Sequence, residues 1–130
     1  MLALGLLALE SCQNGPDGGS AVDSRQFQDV AVPDGFRLRD RHHESWSREV
    51  SSFRSGHFVY VGASSIDAAA TYVVQRMPHH SWRLLEDGET TEAGKTIRFE
   101  RGIYSAVYQF THGEGVTQMV VDYDTDYTRR

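Results

Sequence analysis

The stretch from Ser65 to Trp82, Ser-Ile-Asp-Ala-Ala-Ala-Thr-Tyr-Val-Val-Gln-Arg-Met-Pro-His-His-Ser-Trp, constrains the fold more than any other. Ile66, Ala69, Ala70, Val73 and Met77 recur at helical spacing, so one stripe of a helix faces a core. Ser64 or Ser65 caps the first turn, and Asp67 stands near the positive end of the helix dipole. Pro78 lacks an amide donor and biases Met77 away from helical angles, so the helix is expected to stop there and Trp82 to begin a strand. Elsewhere apolar residues alternate or thin out, which leaves this as the one substantial helix.

The flanking segments read as strands. Phe36 to Val50 is expected to be one long polar strand, with Phe36, Leu38 and Trp46 as its apolar points and a bulge or frayed edge at His42-His43-Glu44. Ser51 to Gly56 reads as a turn into His57–Val61, which closes a hairpin. After the helix come Trp82–Leu85, a polar loop, and Lys95–Arg101 with Ile97 and Phe99 on one face. Gly102 makes a tight connection to Ile103–Thr111, where Tyr104, Ala106, Tyr108 and Phe110 share a face. His112–Gly115 turns into Val116–Tyr123. Short connections require antiparallel neighbours. The expected fold is α+β: an antiparallel sheet of five to six strands with one main helix packed on one face, in the order β-β-α-β-β-β. Its core joins Ile66, Val73 and Met77 to Phe58, Phe99 and Val120 or their neighbours.

The first twelve residues supply an address. Leu2 to Leu9 is an unbroken apolar run, too short to cross a bilayer, which needs about 20 residues; it suits the apolar core of a secretory signal peptide. Leu9, Ser11 and the single cysteine, Cys12, resemble the lipobox of bacterial lipoproteins, in which the cysteine is lipidated and becomes the mature N-terminus. Glu10 departs from that pattern, and no Lys or Arg precedes the apolar run. The resemblance implies a signal peptide over residues 1–11 and a lipidated Cys12. Gly, Pro, Ser and Asp dominate the beginning of the following segment, so residues 12–32 are expected to be a flexible tether. Residues 33–124 then form the single domain, and 125–130 a polar tail.

A second resemblance covers about Phe36 to Tyr123. Gly56-His57-Phe58-Val59-Tyr60, Tyr72 on the helix, Met77-Pro78-His79-His80-Ser81-Trp82 and Phe99-Glu100-Arg101-Gly102 are similar to a group of small bacterial lipoproteins of unknown function. These share a Met-Pro-x-x-Gly-Trp turn, and Ser81 stands here in place of its glycine. The resemblance implies an α+β envelope lipoprotein and brings no catalytic residues.

Several side-chain sets bear on chemistry. The six histidines include the pairs His42-His43 and His79-His80, but neighbouring strand residues point to opposite faces, and no HExxH or cysteine–histidine spacing is present. His57 with Glu44 or Asp40 has the makings of a base and its orienter, although a cross-strand polar pair is the plainer reading. Arg37, Arg39 and Arg41 are expected along one strand face, with Arg98 on another strand. Tyr60, Tyr72, Tyr104, Tyr108 and Tyr123 read as core edge. A net charge of −5 argues against nucleic acid as a partner. The sequence therefore points to a lipid-anchored, non-enzymatic binding or scaffolding module of the bacterial envelope, facing the periplasm or the cell surface. It needs no metal or cofactor; its partners are membrane lipid, through acylated Cys12, and an envelope protein or polymer. The alternative is a small envelope hydrolase or metal-dependent enzyme using histidines.

Overall fold

The computed structural model describes residues 26–129. They form an α+β fold with one main helix, α1 (Ile66–Arg76), and strands β1 (Arg37–Arg39), β2 (Trp46–Val50), β3 (Phe53–Gly62), β4 (Arg83–Asp87), β5 (Lys95–Arg101), β6 (Tyr104–Gly113) and β7 (Val116–Thr125). The seven strands make one antiparallel sheet in the order β1-β3-β7-β6-β5-β4, with β2 also paired to β3. Glu114 and Gly115 both have positive φ, 55° and 79°, the conformation a two-residue hairpin turn needs. That turn marks the distal end of the sheet. The start of β6 and the finish of β7, where Tyr104 faces Thr125, mark the proximal end.

The sheet has more strands than expected because Phe36–Val50 is not one strand. β1 and β2 both pair along β3, but between them a 3-10 turn, Arg41–His43, puts His42 and His43 at φ 55° and 59°. The chain leaves the ladder opposite Val59, and the fully buried Ser45 repairs the gap. Its hydroxyl accepts from Val59 N–H at 3.0 Å and donates to the Arg39 carbonyl at 2.6 Å. The expected turn over Ser51–Gly56 shrinks to Ser51 and Ser52, since β3 already begins at Phe53.

One sheet face is apolar: Phe58 and Tyr60, Met119, Val121 and Tyr123, Ala106, Tyr108 and Phe110, and Ile97 with Phe99 are all buried. The period of two sends Val120 to the opposite face, so its neighbours Met119 and Val121 take the core role. Helix α1 lies on the apolar face through Ala69, Ala70 and Val73, while Ile66 is only partly buried. Ser65 caps it, its hydroxyl accepting from Ala68 N–H at 3.1 Å. The helix starts at the distal end, where the Thr117 hydroxyl reaches the Ser64 carbonyl at 2.5 Å.

The α-helix ends at Arg76, and the chain tightens into a 3-10 turn, Met77–His80, with Pro78 in its first turn. Ser81 is left-handed at φ 69°; its N–H reaches the Pro78 carbonyl at 2.9 Å, and Trp82 N–H reaches the Met77 carbonyl at 3.3 Å. This bond pair, with apolar Met77 and Trp82 both buried, is the Schellman closure that glycine normally completes. A glycine at position 81 of a Met-Pro-x-x-Gly-Trp turn would have this physical reason.

Residues 26–32 require a correction. The flexible tether was expected to continue to residue 32, yet Phe27, Val30 and Ala31 are 5–6% exposed and belong to the core. The folded part therefore begins before residue 33. Phe27 lies at Gly56, where a methyl group would collide with the Phe58 ring and crowd Phe27, and Phe36 lies at Gly62, where a methyl group would collide with its ring. The segment runs from the proximal towards the distal end over the sheet face that also carries α1. At the other terminus Thr125 closes β7, and Arg129 donates to the Tyr104 carbonyl at 2.7 Å, so the expected tail is partly built in.

Candidate functional site

The lipidation candidate, Cys12, and the signal peptide over residues 1–11 lie outside the described residues. What the structure does describe is how the segment downstream of Cys12 is held. At the proximal end Asp29 turns its carboxylate between two arginines from different strands. Oδ2 accepts from Arg54 Nη1 at 3.3 Å, from the Tyr123 hydroxyl at 2.8 Å, and from Arg101 Nη2. Arg54 stacks 4.3 Å from the Phe27 ring centroid and 5.0 Å from that of Tyr123; Arg101 lies 4.7 Å from Trp82. Guanidinium planes suit such work, since they bond at their edges while their faces cover aromatic rings.

The rest of the segment is held as thoroughly. Trp82 Nε1 donates to the Asp29 carbonyl at 2.6 Å, Tyr60 OH to Gln26 at 3.1 Å and Tyr108 OH to the Ala31 carbonyl at 2.8 Å. Three of the five singled-out tyrosines thus direct their hydroxyls at residues 26–31. Burial raises the Tyr60, Tyr108 and Tyr123 hydroxyls above their ordinary pKa; the Asp29 carboxylate pushes Tyr123 further in the same direction. Tyr104 bonds the Ser52 carbonyl, and Tyr72 packs under Arg76, so the five form no common platform. A hollow of about 420 Å³ remains beside the clamp, lined by Gln26, Asp29, Glu49, Arg54 and Arg101 among others.

This clamp was missed in the sequence because Arg54, Asp29 and Arg101 lie far apart along the chain. One signal was legible: Phe27, Val30, Ala31 and Val32 carry apolar surface that a solvated tether does not need.

The other candidates are scattered. His42 and His43 sit on the exposed 3-10 turn, His79 and His80 on the proximal turn after α1, and His112 bonds Thr117 near the distal end. Among the described residues no group of three or more His, Cys, Asp or Glu is placed to hold a metal. His57 pairs with Asp122 across β3 and β7 at 2.6 Å, not with Glu44 or Asp40. Glu44 instead binds Arg39 at 3.0 Å, and Arg39 also reaches Gln118 at 2.7 Å. Arg37 and Arg39 share a strand face, whereas Arg41 has left it for the 3-10 turn; Arg98 pairs with Glu86 at 2.8 Å.

The sheet face opposite α1 carries Val59, Val61, Val107 and Val120, bordered by the His57–Asp122 pair and by Gln109, Gln118 and Arg39. The described residues place no helix over it. No described helix is long and apolar enough to cross a membrane. Comparison of the chain with protein-family models, curated proteins and solved structures returns no match.

Proposed function

We propose that this protein is a lipid-anchored, non-enzymatic module of the bacterial envelope that binds or scaffolds an envelope protein or polymer at the membrane surface. The observation that carries the proposal is the mounting of residues 26–31. The chain arriving from Cys12 is fixed to the domain by Asp29 between Arg54 and Arg101, by Trp82 and by three tyrosine hydroxyls. A domain carried by its N-terminal segment needs such a seat, since every load on the anchor passes through it. The left-handed Ser81 supports the resemblance to lipoproteins with a glycine at that turn. The sheet face opposite α1, over which no described helix lies, favours binding by surface over chemistry in a deep pocket.

The His57–Asp122 pair is the arrangement that would serve the enzymatic alternative. It lies half exposed on the sheet face opposite α1, at 35% and 44% side-chain exposure, which favours a cross-strand polar pair.

Intact mass of the membrane-fraction protein, wild type beside Cys12→Ala, tests the proposal. The expected wild-type product begins at Cys12 and carries added acyl mass, and the variant is released to the soluble fraction. A full-length, unmodified and soluble wild-type chain overturns it.

A further inference from the structure

The two ends of the sheet differ in chemistry. The proximal end carries the turn after α1, with Arg76, His79, His80 and Arg83, and beside it Leu84 and Leu85, which are 41% and 48% exposed. Tyr127, also 48% exposed, stands at the same end, together with the exposed carboxylates of Asp124 and Asp126. Arg76 lies 5.2 Å from the Tyr72 ring centroid, and Arg83 pairs with Glu100 while its own side chain stays 69% exposed. The distal end is predominantly acidic, with Arg37, opposite Val61, as its exposed arginine. Asp67 opens α1 there, the Thr90–Asp67 bond of 2.8 Å brings the loop of Glu89 and Glu92 beside it, and Glu114 occupies the β6–β7 turn. Lys95, the nearby lysine, is paired with Asp87 at 2.9 Å.

The described chain begins at the proximal end. Asp29 is joined there to Trp82 and to Arg101, which also holds the His80 carbonyl at 3.0 Å. Thirteen residues lie between Cys12 and Gln26, so the fourteen steps reach at most about 50 Å. A ten-residue strand such as β6 is itself about 33 Å long. Bringing the distal end to the surface that holds Cys12 would use most of that reach in passing the domain. The proximal end needs none of it.

We infer that the proximal turn, Met77 to Leu85, is a membrane-facing surface that seats the domain on anionic phospholipid headgroups, with the acidic distal end directed away. This rests on the reading of Cys12 as the anchor point. The arginines and imidazoles meet phosphate groups, Leu84 and Leu85 supply apolar contact at the headgroup boundary, and the distal carboxylates are repelled. A weak contact suffices, because the anchor supplies a high effective concentration.

Cys12 is the chain's single cysteine, so the full chain can be coupled through it to a maleimide-headgroup lipid without cellular processing. Amide hydrogen exchange is then followed on vesicles of phosphatidylcholine alone and with phosphatidylglycerol added. The expected result is a severalfold slowing over residues 79–85 on the anionic vesicles only, with 111–116 unchanged. The triple variant Arg76→Glu, His79→Glu, Arg83→Glu, all at exposed positions, abolishes the slowing. No protection at 79–85, equal protection on neutral vesicles, or protection at 111–116 overturns the inference. The chemical coupling separates the two proposals: a chain acylated in cells can fail here, and one not acylated in cells can pass.

Discussion

Single residues in this protein close gaps that the backbone leaves open. Ser45 is the clearest, since its hydroxyl bridges Val59 N–H and the Arg39 carbonyl where β1 and β2 separate. Ser45→Ala leaves both groups without that partner in a buried position and is expected to cost about 1–3 kcal/mol, read as a lower midpoint in urea unfolding. An unchanged midpoint would show that water repairs the ladder as well as the hydroxyl does. Ser81 makes the opposite case: its φ of 69° is strained for a side-chain-bearing residue. Ser81→Gly removes the strain at the price of a more flexible unfolded chain, and a gain of up to about 1 kcal/mol is expected in the same assay. A loss would mean that the serine side chain contributes more than its backbone geometry costs. The turn's start was legible from Pro78; the left-handed closure was visible only through the family pattern that puts glycine there.

Among the elements, the N-terminal segment changes the account of the molecule most. Its apolar residues, Phe27, Val30, Ala31 and Val32, follow neither a strand nor a helix period, so residues 26–32 read as the continuation of a tether, although Phe27 and Val30 lie in the core. Their binding sites are assembled from β3, β5, β6, β7 and the turn at Trp82, which no local pattern can announce. Asp29→Ala removes the carboxylate that two partly buried guanidiniums share, leaving Arg54 to Glu49 and the Tyr123 hydroxyl and Arg101 to the His80 carbonyl, so about 1.5–3 kcal/mol of stability is expected to be lost. Limited proteolysis gives the readout specific to the segment: cleavage within residues 26–32 should precede cleavage elsewhere in the variant and not in the wild type. Simultaneous loss of the whole domain would assign Asp29 to global folding instead. The strands of the second half were far easier to read, and β5 spans the expected Lys95–Arg101 without adjustment.

Across the whole molecule, three buried tyrosines tie stability to alkaline pH. Their hydroxyls are raised in the folded protein, so below about pH 10 both folded and unfolded chains keep the proton and stability is insensitive to these groups. Above that, the unfolded chain releases protons that the folded one retains. Stability must then fall as pH rises, by up to about 1.4 kcal/mol per pH unit for each tyrosine. Denaturant unfolding between pH 8 and 11 should show a plateau and then a decline, less steep in Tyr60→Phe. A flat profile to pH 11 would contradict the burial of these hydroxyls.

The sequence by itself determined the α+β class, the antiparallel pairing and the stripe of α1, because each depends on a local period or a short connection. Ala69, Ala70, Val73 and Met77 could be assigned to the core from spacing alone, as could Ile97 and Phe99. Tertiary structure decided what spacing does not encode. It split Phe36–Val50 at a turn repaired by Ser45, gave His57 to Asp122, and set Asp29 between arginines from two strands. These contacts join residues distant along the chain, and their partners become neighbours only once the sheet has closed.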